Sequence, residues 1–240
     1  MIALKPNEKI TNIVFIGAGG NNGYIIPHIA RIVSLLSPIK RPTISIIDFD
    51  IVEDKNLVRQ NFIFTDVGKY KSEVLAMRYS AVFGMSINYA VHRFTHQDLN
   101  TYLPYVNQNY KTLCIEGVDK FTTKLEIAKA IKQQNRNTYN NIILLSSGNT
   151  EDIGQAVSGP DSYLPDLFPT AFSPEVLEQE RLQEINTANC IENVISVPQN
   201  LAINLTAAMI VVNMAYQWIF DRQSNWRADG SQARRYLLDF

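Results

Sequence analysis

A glycine-rich turn near the start of the chain lies between a strand pattern and a helix pattern, and it constrains the fold more than any other feature. Residues 12–16 form a short apolar, β-branched run, and residues 24–36 carry apolar side chains at helical spacing. A second strand pattern follows at 43–47 and ends in Asp48-Phe49-Asp50. Two strands joined by a helix in this way predict a right-handed βαβ unit. The turn itself is Gly17-Ala18-Gly19-Gly20.

The alternation of strands and helices continues beyond this unit. Asp66 is placed to cap a helix over residues 71–82, and strand patterns follow at 87–93, 112–116 and 141–145. Strands that alternate with helices in this order are typical of a parallel sheet. We therefore expect an α/β fold with a doubly wound, mostly parallel, Rossmann-like sheet that helices cover on both faces.

The pattern becomes irregular after residue 146. Residues 147–197 contain repeated glycines and prolines and only a weak helical signal at 175–184, so we interpret them as an irregular crossover insertion. Long irregular segments of this kind often contact a ligand or a partner. The apolar residues 201–220 predict a closing helix, and residues 234–240 predict a final edge strand.

Composition and charge limit the possible partners. The chain has 22 basic and 23 acidic residues and a net charge of −1, so no overall field would attract nucleic acid or an anionic membrane. The apolar residues 201–220 include Asn204, Asn213 and Gln217, which are costly in hydrocarbon, so we expect a buried helix and no membrane span. The polar N-terminus and the 2 cysteines predict a cytoplasmic protein without a disulfide framework or a structural zinc.

The glycine turn and the aspartates after the second strand predict a nucleotide site. Glycines let backbone N–H groups approach a phosphate, and the helix that follows favours an anion at its N-terminus. A tight turn without a ligand is the alternative, since the third glycine of a dinucleotide fingerprint is displaced from Asn22 to Gly23. Asp48 ends its strand where a carboxylate can accept hydrogen bonds from ribose hydroxyls. Asp50 has a carboxylate that can hold a cation or stabilise the loop.

Two further motifs follow Asp48-Phe49-Asp50 in order, namely Asn56-Leu57-x-Arg59-Gln60 and Asp66-Val67-Gly68-x-x-Lys71. Together with the glycine turn, this series resembles the ThiF/MoeB/ubiquitin-activating enzyme superfamily over about residues 12–158. Residues 114–119, Cys-Ile-Glu-Gly-Val-Asp, are similar to the family strand that ends in a magnesium-binding aspartate.

The resemblance implies an adenylating enzyme that uses ATP and Mg²⁺. By that resemblance Asp48 binds the ribose, Asn56, Arg59 and Lys71 bind the triphosphate, and Asp119 binds the metal. Physical chemistry supports the assignment, because attack of a carboxylate on the α-phosphate of ATP needs fixed cations, and Mg²⁺ takes few, hard oxygen ligands from proteins. The expected catalytic residues are Arg59, Lys71 and Asp119. The expected nucleotide-binding residues are Gly17, Gly19, Gly20, Asp48, Asp50, Asn56, Arg59, Gln60 and Lys71.

The sequence also departs from the family pattern. Family homodimers usually carry an N-terminal helix whose arginine reaches the partner's nucleotide, and here only Lys5 and Lys9 precede the first strand. Lys124 replaces an arginine, which keeps the charge but not the forked geometry, and Lys120 replaces an asparagine. The zinc-binding cysteine pairs of ThiF and MoeB are missing. The chain is therefore similar to a zinc-free branch, such as the short ThiF-like proteins of PRTRC mobile-element gene clusters.

Cys190 lies in the region where family members place a thioester- or persulfide-forming cysteine, which makes it a candidate catalytic nucleophile. Its neighbours Asn189 and Ile191 offer no histidine or lysine to activate the thiol, so a buried, inert cysteine is the alternative. We expect no covalent adduct at Cys190. Cys114 lies inside a predicted central strand and is expected in the core.

These observations predict ATP-dependent adenylation of the C-terminal carboxylate of a small ubiquitin-like or sulfur-carrier protein, by a homodimer. The alternatives are a non-catalytic ThiF-like module that binds a nucleotide or a partner, and adenylation of a non-protein carboxylate. An NAD dehydrogenase is a more distant alternative, because Arg59 and Lys71 suit a triphosphate better than a pyrophosphate bridge. We expect a single domain of 240 residues, with a nucleotide-binding half at about 10–146, an insertion and partner-binding region at about 147–197, and a closing helix and tail at 198–240.

Overall fold

A computed structural model of the chain shows an α/β fold built on one sheet, which has seven strands in the part described. The structure describes residues 9–104, 107, 109–137, 141–149, 153–159, 172–189, 201–220 and 234–239. The strands are β1 (Lys9–Ile16), β2 (Thr43–Ile47), β3 (Ile87–Ala90), β4 (Tyr110–Glu116), β5 (Ile142–Asn149), β6 (Ile153–Gly159) and β7 (Arg234–Asp239). The helices are α1 (Gly20–Ser34), α2 (Lys71–Phe83), α3 (Asp98–Tyr102), α4 (Phe121–Asn137), α5 (Pro174–Asn189) and α6 (Leu201–Ile219).

The strand order is β3-β2-β1-β4-β5-β6-β7, with β1 to β5 parallel and β6 and β7 antiparallel. The chain moves outward from β1 through β2 and β3 and then crosses to the other side of β1 at β4. A crevice therefore opens at the carboxyl ends of β1 and β4, the usual ligand position in open α/β sheets. In the register, Ile16 lies opposite Ile47 and Glu116, and Ile47 lies opposite Ala90. The loops after these four strands consequently meet at one edge.

Both faces of the parallel sheet are buried, which explains the continuous apolar run of β1. Ile13 and Phe15 contribute to a core cluster with side chains of α1, α2 and α6. Val14 and Ile16 face the opposite side and pack with side chains of α3 and α4. Because successive strand residues point to opposite faces, burial of both sets requires helices on both sides.

The predicted fold class is confirmed, and several boundaries agree with the sequence pattern. Strand β2 spans the predicted residues, and α2 begins at the predicted Lys71. Asp66, in contrast, does not cap α2. Its carboxylate accepts the N–H of Ile63 at 2.8 Å and pairs with Arg78. Strand β6 lies inside the segment that we expected to be irregular, where it pairs with β5.

Helix α6 closes the fold as expected. Its inward residues are buried in the core beside α1, among them Val211, Met214 and Trp218. No helix in the described ranges has the length and apolar character that a membrane crossing requires.

Candidate active site

A cavity of about 390 Å³ lies over the carboxyl ends of β1, β2, β3 and β4. Each of the four loops after these strands contributes to its wall. Seven of the predicted site residues lie on this wall: Gly17, Gly19, Asp48, Asp50, Gln60, Lys71 and Asp119. The topology therefore brings together residues that are separated by up to about 100 positions in the sequence.

The glycine turn is fastened to β4 by Asn22. Its amide nitrogen donates to the carbonyl oxygens of Gly17 at 2.8 Å and Ile115 at 3.3 Å. Gly17 has a φ of +86°, which favours glycine. A Cβ on Gly117 would lie 2.7 Å from the Asn22 side chain, so this close approach also requires glycine. Asn22 thus has a structural role at the position where a dinucleotide fingerprint has its third glycine.

Asp48 is held in place by the turn and by its own loop. One carboxylate oxygen accepts the N–H of Ala18 at 2.5 Å, and the other accepts the N–H of Asp50 at 2.7 Å. Burial raises the pKa of Asp48, and these two N–H groups oppose that rise. A carboxylate has about four lone-pair positions, so each oxygen keeps capacity for one more donor. Two ribose hydroxyls match that remaining capacity.

Lys71 supplies a buried cation at the cavity wall. Its ammonium lies 2.9 Å from an oxygen of Asp50, and its side chain is only 8% exposed. The backbone of α2 starts at the same point, since the Lys71 N–H donates to the Asp50 carbonyl at 2.9 Å. Ser72 continues this link by donating its hydroxyl to the Asp48 carbonyl at 2.8 Å. Asp50 therefore holds both the loop and the cation.

The structure places three other predicted residues away from the described cavity wall: Gly20, Asn56 and Arg59. Asn56 is buried, and its side-chain oxygen accepts the N–H of Glu53 at 2.9 Å in the loop before Arg59. The Arg59 carbonyl accepts the hydroxyl of Tyr24 at 3.3 Å, which ties this loop to α1. Gln60 does line the cavity, and a Cβ added to Gly19 would lie 3.7 Å from the Gln60 amide. Binding of the triphosphate by Asn56 and Arg59 stays a prediction.

Asp119 lies in the loop between β4 and α4, exposed on the cavity wall beside Lys120. Its carboxylate accepts no hydrogen bond within the described part of the chain. An oxygen ligand in this state is available to a cation that a nucleotide brings with it. In the described ranges, no three His, Cys, Asp or Glu side chains gather into a metal-binding cluster. Metal binding by Asp119 stays a prediction.

The ammonium of Lys124 pairs with a buried carboxylate and does not line the described cavity wall. Its ammonium lies 2.6 Å from Glu116, whose side chain is fully buried, and 3.1 Å from the Ser147 carbonyl. The other oxygen of Glu116 accepts the Ser146 hydroxyl at 2.6 Å. Lys124 therefore binds β4 and β5 together, although it stands at a position where the resemblance implies an arginine.

The sequence pattern did not predict the aromatic and basic residues of one cavity wall. Phe49 and residues 92–94 line this wall, and the guanidinium of Arg93 lies 5.1 Å from the centre of the Phe49 ring. His92 lies 2.9 Å from a carboxylate oxygen of Asp98. The strand predicted at 87–93 included residues 92 and 93, whereas β3 ends at Ala90. Residues 92–94 therefore follow the strand at the edge that the parallel strands share.

The two cysteines differ in what the structure shows of them. Cys114 is fully buried in β4, and desolvation raises the pKa of its thiol, which agrees with the predicted core position. Cys190 lies outside the described residues. Its role as a nucleophile stays a prediction.

Solved structures with the same fold cover most of this chain. E. coli MccB with succinimide is 19% identical, with a TM-score of 0.59 over 91% of this chain and 58% of MccB. E. coli MccB with ATP is 21% identical, with a TM-score of 0.57 over the same shares of 91% and 58%. PaaA is 15% identical, with a TM-score of 0.61 over 96% of this chain and 73% of PaaA. The chain thus spans less than two thirds of the length of MccB. The search of curated proteins found no match to this chain.

The sequence itself matches a family model over most of its length. The model is that of the ThiF family, and the match covers residues 11–226. This range includes the glycine turn, Asp48, Lys71 and Asp119, which the structure brings to one cavity. The chain belongs to the ThiF family.

Proposed function

We propose that this protein is an ATP-dependent adenylyltransferase that activates the C-terminal carboxylate of a small ubiquitin-like or sulfur-carrier protein. The observation that carries the proposal is the convergence of Asp48, Lys71 and Asp119 on one cavity beside the glycine turn. MccB, which shares the fold, has been crystallised with ATP and with MccA. These structures support ATP as the nucleotide and a peptide or protein as the carboxylate substrate.

The residues on the cavity wall fit a magnesium–nucleotide complex. Asp48 keeps acceptor capacity for the ribose, and the glycine turn opens α1 where backbone N–H groups favour a phosphate. Asp119 has an exposed carboxylate for the metal ion. Bound Mg²⁺ would polarise the phosphate oxygens and neutralise part of their charge.

In the proposed reaction, a carboxylate oxygen of the carrier attacks the α-phosphorus of ATP. A bond forms between that oxygen and phosphorus, the bond to the β-phosphate oxygen breaks, and pyrophosphate leaves as the anion. Lys71 lines the cavity as a fixed cation, and Lys120 and Arg93 lie on the same wall. Such preorganised cations favour the transition state, in which negative charge develops on the leaving pyrophosphate. The products are an acyl-adenylate and pyrophosphate. The expected homodimer stays a prediction.

Exchange of labelled pyrophosphate into ATP, with a carrier or peptide that ends in Gly-Gly, tests the proposal. We expect Asp119→Asn to lower this exchange by at least about 100-fold without unfolding the protein, because the change removes a metal ligand and no core volume. Asp54→Asn is the matched control, since Asp54 is also exposed and lies outside the described cavity wall. Undiminished exchange in Asp119→Asn would show that Asp119 is not the metal ligand.

A non-catalytic nucleotide-binding module is the second candidate. The buried pair of Lys124 and Glu116 favours it, because this lysine is engaged below the cavity where the family pattern has an arginine. A wild-type protein that binds ATP but exchanges no pyrophosphate with any carboxylate would support this second function.

A further inference from the structure

Helix α5 contacts the first turn of α4 through one carboxylate. The two oxygens of Glu180 accept the N–H groups of Phe121 at 2.8 Å and Thr122 at 2.7 Å. Beside them, the Phe172 ring packs edge-on against the Phe121 ring, with centroids 5.6 Å apart. The segment that carries α5 therefore docks at the end of α4 that borders the cavity.

The first N–H groups of a helix have no partner inside the helix and need an acceptor from elsewhere. Lys120 stands just before α4 and has no side-chain acceptor to offer. The nearest acidic residue in the chain is Asp119, and aspartate is one of the preferred capping residues. Because an aspartate side chain commonly accepts the N–H two residues further on, Asp119 is the alternative acceptor for these donors. In the described part of the chain, Glu180 holds them and the Asp119 carboxylate accepts no hydrogen bond.

We propose that Glu180 is a positioning residue, which caps α4 from α5 and thereby leaves the Asp119 carboxylate facing the nucleotide cavity. This inference rests on the proposed function, because it assumes that Asp119 binds the metal ion of a magnesium–nucleotide complex. The contact is favourable in itself, since both hydrogen bonds are charge-assisted and a negative charge suits a helix N-terminus. Loss of Glu180 lets Asp119 turn back to cap α4, which withdraws it from the cavity.

The contact also couples the insertion to the site. If docking of α5 holds Asp119 toward the cavity, then α5 docking raises the affinity for the magnesium–nucleotide complex. Linkage requires that the complex in turn stabilises α5 docking by the same factor. Hydrogen exchange in α5 should therefore slow when ATP and Mg²⁺ are both present.

The test compares the full chain with Glu180→Gln, which keeps the size of the side chain but replaces one acceptor oxygen with a donor. Glu178→Gln is the matched control, because Glu178 lies on the same helix, is 59% exposed and contacts Arg181. Calorimetry measures ATP affinity with and without Mg²⁺, and amide hydrogen exchange follows residues 121–124. We expect Glu180→Gln to weaken ATP binding about tenfold with Mg²⁺ only, as outer-shell changes do at metal sites. Exchange at 121 and 122 should stay slow, because Asp119 replaces Glu180 as the acceptor. Glu178→Gln should change neither quantity.

A double variant separates positioning from general structural damage. If Glu180 acts through Asp119, then adding Glu180→Gln to Asp119→Asn causes no further loss of affinity, whereas independent effects add. Additive losses, or equal losses with and without Mg²⁺, overturn the inference. Wild-type ATP binding that is insensitive to Mg²⁺ overturns it too but leaves nucleotide binding intact. A wild type that binds no ATP overturns the proposed function and this inference together.

Discussion

Asn22 stands where a dinucleotide fingerprint has its third glycine, and its side-chain amide forms hydrogen bonds that a glycine lacks. Its amide donates to the Gly17 carbonyl from α1 and reaches the carbonyl of Ile115 in β4. Gly117 makes room for it, because any Cβ there would meet the Asn22 amide. In the sequence, Asn22 is only a missing third glycine, since its partner in β4 lies 93 residues away.

Asp48 provides the first prediction, which concerns pH. Burial raises the pKa of Asp48, so its contribution to folding stability is full at low pH and is lost as pH rises through the folded-state pKa. Nucleotide binding has the opposite dependence, because only the carboxylate form can accept hydrogen bonds from both ribose hydroxyls. We expect ATP affinity to fall as pH is lowered, beginning at a higher pH than an exposed aspartate would give.

Calorimetric titrations of ATP and 2′-deoxy-ATP across the acid range measure this effect. The deoxy nucleotide offers one hydroxyl fewer, so its affinity should depend less on pH, and it controls for titration of the phosphates. Asp48→Asn should lower ATP affinity about tenfold or more and remove the difference between the two nucleotides, since it removes hydrogen bonds to a charged group. Parallel pH curves for the two nucleotides in the wild type would contradict ribose binding by Asp48.

At the scale of elements, β4 and α4 are joined by the buried pair of Glu116 and Lys124, and this pair provides the second prediction. Lys124→Met leaves the Glu116 carboxylate buried without its cation, which typically costs about 3–5 kcal/mol of folding free energy. Urea unfolding measures the loss. Lys129→Met on the same helix is the control, because Lys129 is exposed and its replacement should cost less than about 0.5 kcal/mol. Equal stability of the two variants would mean that the pair has no net role in folding.

The sequence predicts those elements best whose pattern is local. Strand β2 and the start of α2 agree with the hydrophobic pattern, because apolar spacing and strand ends are visible in a short window. Strand β6 contains Gly154 and Gly159 and was not predicted. Its pairing with β5 and β7 is a property of the folded sheet. The predicted role of Asp66 as a cap of α2 was wrong, since its carboxylate pairs with Arg78, 12 positions later in that helix.

At the scale of the whole molecule, the sequence predicts where β1, β2 and β4 end, but not where β3 and β5 end or how the loops between the strands turn. Asp48, Lys71 and Asp119 follow strands or open helices, so the parallel topology brings them to one edge, as expected. Arg59 lies in a loop whose path depends on non-local contacts, such as the hydrogen bond from the Tyr24 hydroxyl to the Arg59 carbonyl. The Glu180 cap joins α4 to a helix 58 or more residues away, and no local pattern contains that information.

The choice of nucleotide provides the last prediction, and it concerns the fold as a whole. A ligand that binds only the native state stabilises it by RT ln(1 + [L]/Kd), which is about 2.7 kcal/mol at a concentration of 100 Kd. For a chain of this size, each kcal/mol raises Tm by about 2–4 °C, so ATP with Mg²⁺ should raise Tm by about 5–10 °C at that concentration. NAD should protect less, because its pyrophosphate bridge offers less negative charge to the cations Lys71, Arg93 and Lys120 on the cavity wall. Thermal unfolding with each ligand at equal concentration measures the difference, with AMP as a control for the adenosine part alone. If NAD protects at micromolar concentrations and ATP fails at millimolar concentrations, the site serves a dinucleotide and the proposed adenylation is wrong.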